Sequence, residues 1–352
     1  MQLPDRRGNI NRDWKFDNGK NVWLPPSPRT QPPGIWTFPM MVQQAEGAHL
    51  LPRAGWLSVL ACVAAVCAGS WFATAPRRPF GPEEMGSTPG DPQLGRMVFL
   101  AASCASCHAT PGQPNPLVLG GGMALVTSFG VFRPPNISPD VADGIGSWSA
   151  ADLANALVAG VSPGGRHYYP AFPYTSYTGI DIQDIKNLYA YLRTLPPVSG
   201  RSRQHDLQPL VRIRRLIGIW KLLFFTEGRT APVKTGDPAF NRGAYLAETL
   251  AHCAECHSTR NIFGAIRPET RFAGGPDTEG TGFVPNITSE RLGAWTQADI
   301  STLLATGETP SHRRAGSSMT DVISNLSQLP QSDRDAIARY IKSLPARPTP
   351  LP

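Results

Sequence analysis

The sequence predicts a mostly α-helical protein built from two tandem copies of one small domain behind a single N-terminal transmembrane helix. Three observations carry that expectation. The motif Cys-x-x-Cys-His occurs twice, as Cys104-Ala105-Ser106-Cys107-His108 and as Cys253-Ala254-Glu255-Cys256-His257. Landmarks around the two copies recur at a nearly constant offset. Residues 54–75 form an uninterrupted apolar run upstream of both.

The motif performs one chemical task. Two thiols two residues apart lie on one side of a helical turn, where they can add to the two vinyl groups of a haem. The adjacent histidine is then forced beneath the ring as the proximal iron ligand. With six Cys and seven His in 352 residues, chance placement yields about 0.002 copies. A thioredoxin-like redox pair needs no histidine at this place. A zinc site would use both Cys pairs but leaves the two following histidines unexplained. The expected cofactors are two covalently bound haem c groups, on Cys104 and Cys107 with His108, and on Cys253 and Cys256 with His257.

The repeat extends beyond the motif. Cys104 and Cys253 are 149 residues apart, Asn136 and Asn286 are 150 apart, and Trp148 and Trp295 are 147 apart. Gly160 and Gly307 keep the offset of 147, and the Leu195-Pro196 and Leu344-Pro345 pairs return to 149. A period near 150 is too long for a solenoid and suits tandem domains. The 36 Pro, 34 Gly and charged fraction of 17% point to much loop, as befits a domain whose core is largely a macrocycle.

The apolar run of residues 54–75 rises about 33 Å as a helix, enough to cross a bilayer. Arg53 precedes it, Arg77 and Arg78 follow it, and Trp56 and Trp71 stand near its ends as interfacial aromatics. The competing reading is a cleaved secretory signal starting at Met40 or Met41. Pro76 directly after Ala73-Thr74-Ala75 disfavours that cleavage. Residues 1–53 read as a disordered N-terminal extension, broken by prolines, with a Lys/Arg excess that favours an N-in orientation. An upstream extension from a misassigned start codon accounts for that segment equally well.

Helix signals then follow in order. Asp91-Pro92 and Asp237-Pro238 each start a helix that leads into a haem motif. Trp148 and Trp295 open a helix each, and both end at a glycine. Amphipathic helices close each copy: Ile182, Ile185, Leu188, Tyr189 and Leu192 in one, Ile337, Tyr340 and Ile341 in the other. The expected divisions are a linker at 76–90, a first haem domain at 91–198, an interdomain linker with a helix at 199–236, a second haem domain at 237–346 and a tail at 347–352. Within the linker, the apolar and basic residues 212–225 suit an interdomain helix, or less readily a helix on a membrane surface. The net charge of +7 is scattered, with no Lys/Arg stripe interleaved with aromatics, so no nucleic-acid partner is expected.

Several segments together resemble the family of membrane-anchored dihaem c-type cytochromes that serve periplasmic dehydrogenases of the alcohol, aldehyde and molybdenum hydroxylase types. They are Cys104–His108, Pro135-Asn136-Ile137, Gly144–Ser149, Gly165–Tyr174, His252–His257, Pro285–Thr288 and Ser317-Ser318-Met319. The resemblance covers the chain from about residue 90 to its end. It implies two tandem class I-like cytochrome c domains with iron held by His on one side and usually Met on the other.

The second copy meets that pattern with Met319, 12 residues past Gly307. The first departs from it. Phe172 stands 12 residues past Gly160, and Ile180 occupies the later place where the resemblance implies a Met in some relatives. Three arrangements remain open for the first haem: His167 as sixth ligand, Met123 from an unusual direction, or a five-coordinate iron. Asn136, Asn286, Trp148 and Trp295 are candidates for hydrogen bonds at the haem edge, or for plain loop and core packing.

The function expected is a relay that takes single electrons from a periplasmic dehydrogenase and passes them toward quinone or a terminal oxidase. It would sit in the inner membrane as a single-pass protein with both haem domains in the periplasm. The chain carries no paired acids, nucleophile with base, or phosphate-binding loop, so no enzyme activity is expected. The alternatives both use the first haem: a dihaem peroxidase-like or thiosulfate-oxidising enzyme, or a haem-based gas sensor.

Overall fold

The computed structural model describes residues 15–17, 19, 22–24, 53–228, 235–277 and 282–351. The chain divides into two compact units, Met1–Leu60 and Ala61–Pro352. In the first, β1 (Lys15–Asp17) and β2 (Val22–Leu24) pair antiparallel with Lys15 opposite Leu24 and Gly19 in the connecting turn. Phe16, Val22 and Trp23 are strand formers, which is why a hairpin stands within a segment expected to be disordered. Most of the remainder of residues 1–53 lies outside the described residues.

Helix α1 (Arg53–Ala73) is 21 residues long. Leu57, Leu60, Val63, Val66, Trp71 and Phe72 are all exposed, so the helix is apolar on every side. From Gly55 to Ala73 it is long and apolar enough to cross a membrane.

Beyond it the chain is mostly helical. Helix α2 (Pro92–Ala101) starts where the Asp91 carboxylate accepts from the Gln93 and Leu94 amides, and α3 (Cys104–His108) is the first haem motif itself. Strands β3 (Leu125–Thr127) and β4 (Gly130–Phe132) form a hairpin. Helix α4 (Ala150–Ala159) opens on a reciprocal cap between Ser149 and Asp152 and stops at Gly160, whose φ of 60° suits glycine. After the short α5 (Tyr174–Tyr177), α6 (Ile182–Leu192) buries Ile185, Leu188 and Leu192. It crosses α2 closely because Gly95 has no side chain: a Cβ there would collide with the Asn187 carbonyl.

The segment read as a linker with a helix holds that helix and, ahead of it, a strand that was not expected. Strand β5 (Asp206–Leu207) adds to β4 as the edge of a three-stranded sheet, and α7 (Leu216–Phe224) follows. Helix α8 (Pro238–Tyr245), capped by Asp237, runs into a π-helical turn at Leu246–Leu250 and then a 3₁₀ turn at Cys253–Glu255. A small ladder joins β6 (Gly275–Pro276) to β7 (Phe283–Val284). After α9 (Ser289–Leu292), α10 (Gln297–Thr306) repeats the reciprocal cap with Thr296 and Asp299 and stops at Gly307, φ 77°. Helices α11 (Met319–Leu326) and α12 (Gln331–Ser343) complete the chain, with Gly243 of α8 set against the Ala336 carbonyl of α12. The two tryptophans expected to open α4 and α10 stand just ahead of the capping residues Ser149 and Thr296.

One apolar core runs through all of this. It joins Phe99, Leu157, Ile185 and Leu192 to Leu246, Leu250, Leu326 and Ile337 without a break. Polar links reinforce it: Arg96 donates to Gln328 at 2.8 Å, and the Tyr245 hydroxyl donates to Asp184 at 2.7 Å. Burial of these apolar side chains is the main stabilising contribution here.

Candidate haem-binding site

The two motifs are set by the same local device. The residue before each first cysteine is left-handed, Ser103 with φ 49° and His252 with φ 39°, and each turns the chain into its motif. His108 Nδ1 lies 2.8 Å from the Pro135 carbonyl oxygen, and His257 Nδ1 lies 2.7 Å from that of Pro285. A carbonyl can only accept, so Nδ1 carries the proton in both rings and Nε2 keeps its lone pair for a metal. Desolvation by burial lowers the pKa of both imidazoles, opposed by those same carbonyl bonds, and keeps the rings neutral. This is the state an iron ligand needs, with the outer hydrogen bond that fixes a ligating histidine.

The loops that supply the two carbonyls are clasped alike. Asn136 Nδ2 donates to the Val198 and Gly200 carbonyls at 2.6 and 3.1 Å, while its Oδ1 accepts from the Ser138 amide at 2.9 Å. Asn286 Nδ2 donates to the Arg347 carbonyl at 2.8 Å, and its Oδ1 accepts from the Thr288 amide at 2.8 Å. The asparagines therefore hold the loops together from behind the histidines. Trp148 lines the cavity described next, and Trp295 packs on the apolar core.

A cavity of about 2110 Å³ opens beside Cys104, Cys107 and His108. That exceeds the roughly 300–1,000 Å³ of an ordinary small-molecule pocket. Its lining includes Met123, Phe172 and Ile180, with residues from 202–224 and 258–264. Arg166, Arg203, Arg212 and Arg214 also line it and supply the cationic groups that the carboxylates of a porphyrin need, while Arg133 and Arg260 in the same lining are paired with Asp206 and Glu255. Largely apolar walls, the first motif's two cysteines and histidine, and arginines in the lining fit a haem, and Cys256 of the second motif reaches the same cavity.

The other predicted ligands are placed as follows. Met319 is the first residue of α11 and packs on the shared core, directly after Ser317 and Ser318 of the cavity wall. His167 is buried, 4% exposed, but its ring turns away from the cavity, with Nε2 donating to the Thr74 carbonyl at 3.0 Å. Its neighbours Arg166 and Tyr168 line the cavity instead.

Two residues at the second motif make long-range contacts to the first copy that its spacing did not signal. The buried Glu255 carboxylate accepts from Thr175 and Ser176 of α5 at 2.8 and 3.0 Å and pairs with Arg260 at 2.6 Å. Burial opposes its ionisation, but Arg260 and these hydrogen bonds outweigh burial and hold its pKa below the usual range. His252 stands edge-on to Tyr177 with ring centroids 5.5 Å apart, and the Tyr177 hydroxyl donates to the Ala102 carbonyl at 3.3 Å. The one sequence signal was a charged residue inside the second motif with an arginine five residues on.

Comparison with known proteins agrees with this geometry. The cytochrome c family matches residues 92–196. A diheme cytochrome c-type protein of Cereibacter sphaeroides is 46% identical over 284 residues, covering 79% of this chain and 94% of that protein. A nicotinate dehydrogenase subunit of Pseudomonas putida is 36% identical over 260 residues, covering 74% of this chain and 22% of its own length. The fructose dehydrogenase cytochrome subunit of Gluconobacter japonicus is 36% identical over 259 residues, covering 72% of this chain and 52% of its own length. The chain thus spans only a part of those two dehydrogenase subunits. The long match to the Cereibacter protein, with the cytochrome subunits among the other relatives, makes the chain a member of the dihaem c-type cytochrome family and an electron-transfer protein rather than an enzyme.

Proposed function

We propose that the chain relays single electrons from a periplasmic dehydrogenase toward quinone or a terminal oxidase. Two cytochrome c domains, residues 91–198 and 237–346, would each bind one haem c covalently. Cys104 and Cys107 hold the first with His108 as proximal ligand, and Cys253 and Cys256 hold the second with His257. When bound, each haem supplies a one-electron iron couple. The residues contribute attachment, a fixed imidazole tautomer and an apolar enclosure. The observation that carries the reading is the pair of equivalent histidine-to-proline carbonyl bonds.

Met319 is the proposed sixth ligand of the second haem. On the first side, Met123 lines the cavity while His167 bonds to Thr74, which favours Met123 or an open sixth position over His167. Helix α1 would hold the protein in the inner membrane as a single pass, with both haem domains in the periplasm. A dehydrogenase partner is supported by the names of the nicotinate and fructose dehydrogenase relatives. Isolation of the tagged full chain from its native membranes tests this. A dehydrogenase should co-purify, and its substrate should reduce the haem bands. Absence of both the partner and the reduction overturns the relay.

A further inference from the structure

Several contacts between the two copies fall on the haem motifs themselves. Asn325 of α11 donates to the Ser106 hydroxyl, inside the first motif, at 3.3 Å. Thr175 and Ser176 of α5 donate to Glu255, inside the second. Next to them Tyr177 is buried between the two motifs. Its hydroxyl donates to the Ala102 carbonyl at 3.3 Å, two residues before Cys104. Its ring stands edge-on to His252, the residue directly before Cys253, with centroids 5.5 Å apart. Burial raises the Tyr177 pKa well above its ordinary value, and Cys104, Cys107 and Glu255 add to the rise, so the phenol is enclosed by groups of both motifs. Burial lowers the pKa of the His252 ring, opposed by Glu255 and by the same Ala102 carbonyl.

Electron tunnelling is favoured by bonded and closely packed atoms and slows steeply across gaps. The chain supplies a packed path between the two attachment points. From Cys253 one peptide bond leads to His252, a ring contact leads on to Tyr177, and a hydrogen bond leads to Ala102. Two further peptide units, through Ser103, reach Cys104. His252 and Ser103 hold equivalent left-handed positions before the two motifs, but only the histidine is large enough to reach across to the other copy.

We propose that Tyr177 and His252 form the bridge along which an electron passes between the two haem sites, joining the attachment point at Cys253 to that at Cys104. This deepens the relay reading and rests on each motif holding one haem. One electron leaves one iron, oxidised to the ferric state, and reduces the other to the ferrous state. No bond forms or breaks, no proton moves and no co-reactant is needed. Tyr177 and His252 are positioning residues in this transfer, and neither is itself oxidised.

Pulse radiolysis of the full-length holoprotein in detergent tests it. A small dose of reductant is delivered, and the redistribution of electrons between the haems is followed as a phase whose rate does not depend on protein concentration. Tyr177→Leu and His252→Asn should each slow that phase several-fold. Asparagine is chosen because it tolerates the left-handed backbone at position 252, φ 39°. Both midpoint potentials, and the dipolar broadening between the ferric haems in electron paramagnetic resonance, should stay native. Those two controls show that neither the driving force nor the separation of the irons has changed, which a merely structural loss would alter. Tyr177→Phe, which keeps the ring and loses only the hydroxyl bond, should slow the phase less than Tyr177→Leu. Either of the first two variants decides where the other fails to load both haems. A native rate in either overturns the bridge, as does a slowing accounted for by a shift in potential or broadening. A native protein whose haems exchange electrons only between molecules overturns the relay reading as well.

Discussion

The two haem-attachment regions share their scaffold but differ on the far side of the proposed ring. Behind each histidine the same parts recur: a left-handed residue before the motif, a proline carbonyl at 2.7–2.8 Å and an asparagine clasp. At the position 12 residues past the glycine that ends the preceding helix, the second copy has Met319, the proposed sixth ligand, while the first has Phe172, which lines the cavity with Ile180. The difference teaches where the fold is constrained. The proximal frame is a set of side-chain-to-backbone hydrogen bonds whose loss leaves buried polar groups unpaired, and both copies have it. The distal position is one side chain, which can change without disturbing that frame.

The largest expected effect comes from removing attachment. Cys253→Ala should leave the second haem on one thioether or lose it, with the first haem unaffected. The intact mass of the denatured protein and its haem absorbance check this. An unchanged haem content after either Cys253→Ala or Cys104→Ala contradicts covalent attachment at that site.

A gain-of-ligand substitution probes the distal difference itself. Ile180→Met should place sulfur where the first copy lacks it and raise that haem's potential within the roughly 0.8 V range that axial ligands set. A strengthened near-infrared sulfur-to-iron band should accompany the shift. If neither changes, position 180 does not face the iron.

Glu255→Gln tests the link between the copies. It leaves Arg260 without its buried partner and should cost about 3 kcal/mol, a typical figure for breaking a buried pair. Thermal unfolding of the holoprotein reads this. Combining it with Thr175→Ala should cost less than the sum of the two single effects, since both act on one network.

The smallest expected effects fall on the caps. Ser149→Ala and Thr296→Ala should each cost about 1 kcal/mol. Because the two caps are equivalent, the losses should match. A large excess at one of them would show that the scaffold is less symmetrical than its hydrogen bonds.

Much of this was legible in the sequence because it is local. The cap residues, the stops at Gly160 and Gly307 and the two motifs are each read within a few positions of the structure they cause. What escaped depends on distant partners. The His167 ring is held by a carbonyl 93 residues away, so its spacing from the first motif gave no warning that it turns from the cavity. Glu255 is held by hydroxyls 79 and 80 residues away. The unbroken core between the copies was likewise hidden, since neither the repeat nor the linker at 199–236 signals side chains that pack across it. The short hairpin at 15–24 is local, but the surrounding prolines and charges masked its alternation.

Spectroelectrochemical titration of the full-length protein and of Met319→Ala tests the central claim most directly. Two one-electron steps are predicted for the native protein, with only the higher one falling when Met319 is removed. A single step shared by both haems, or a Met319→Ala profile that overlays the native one, would contradict the assignment of unequal distal sites.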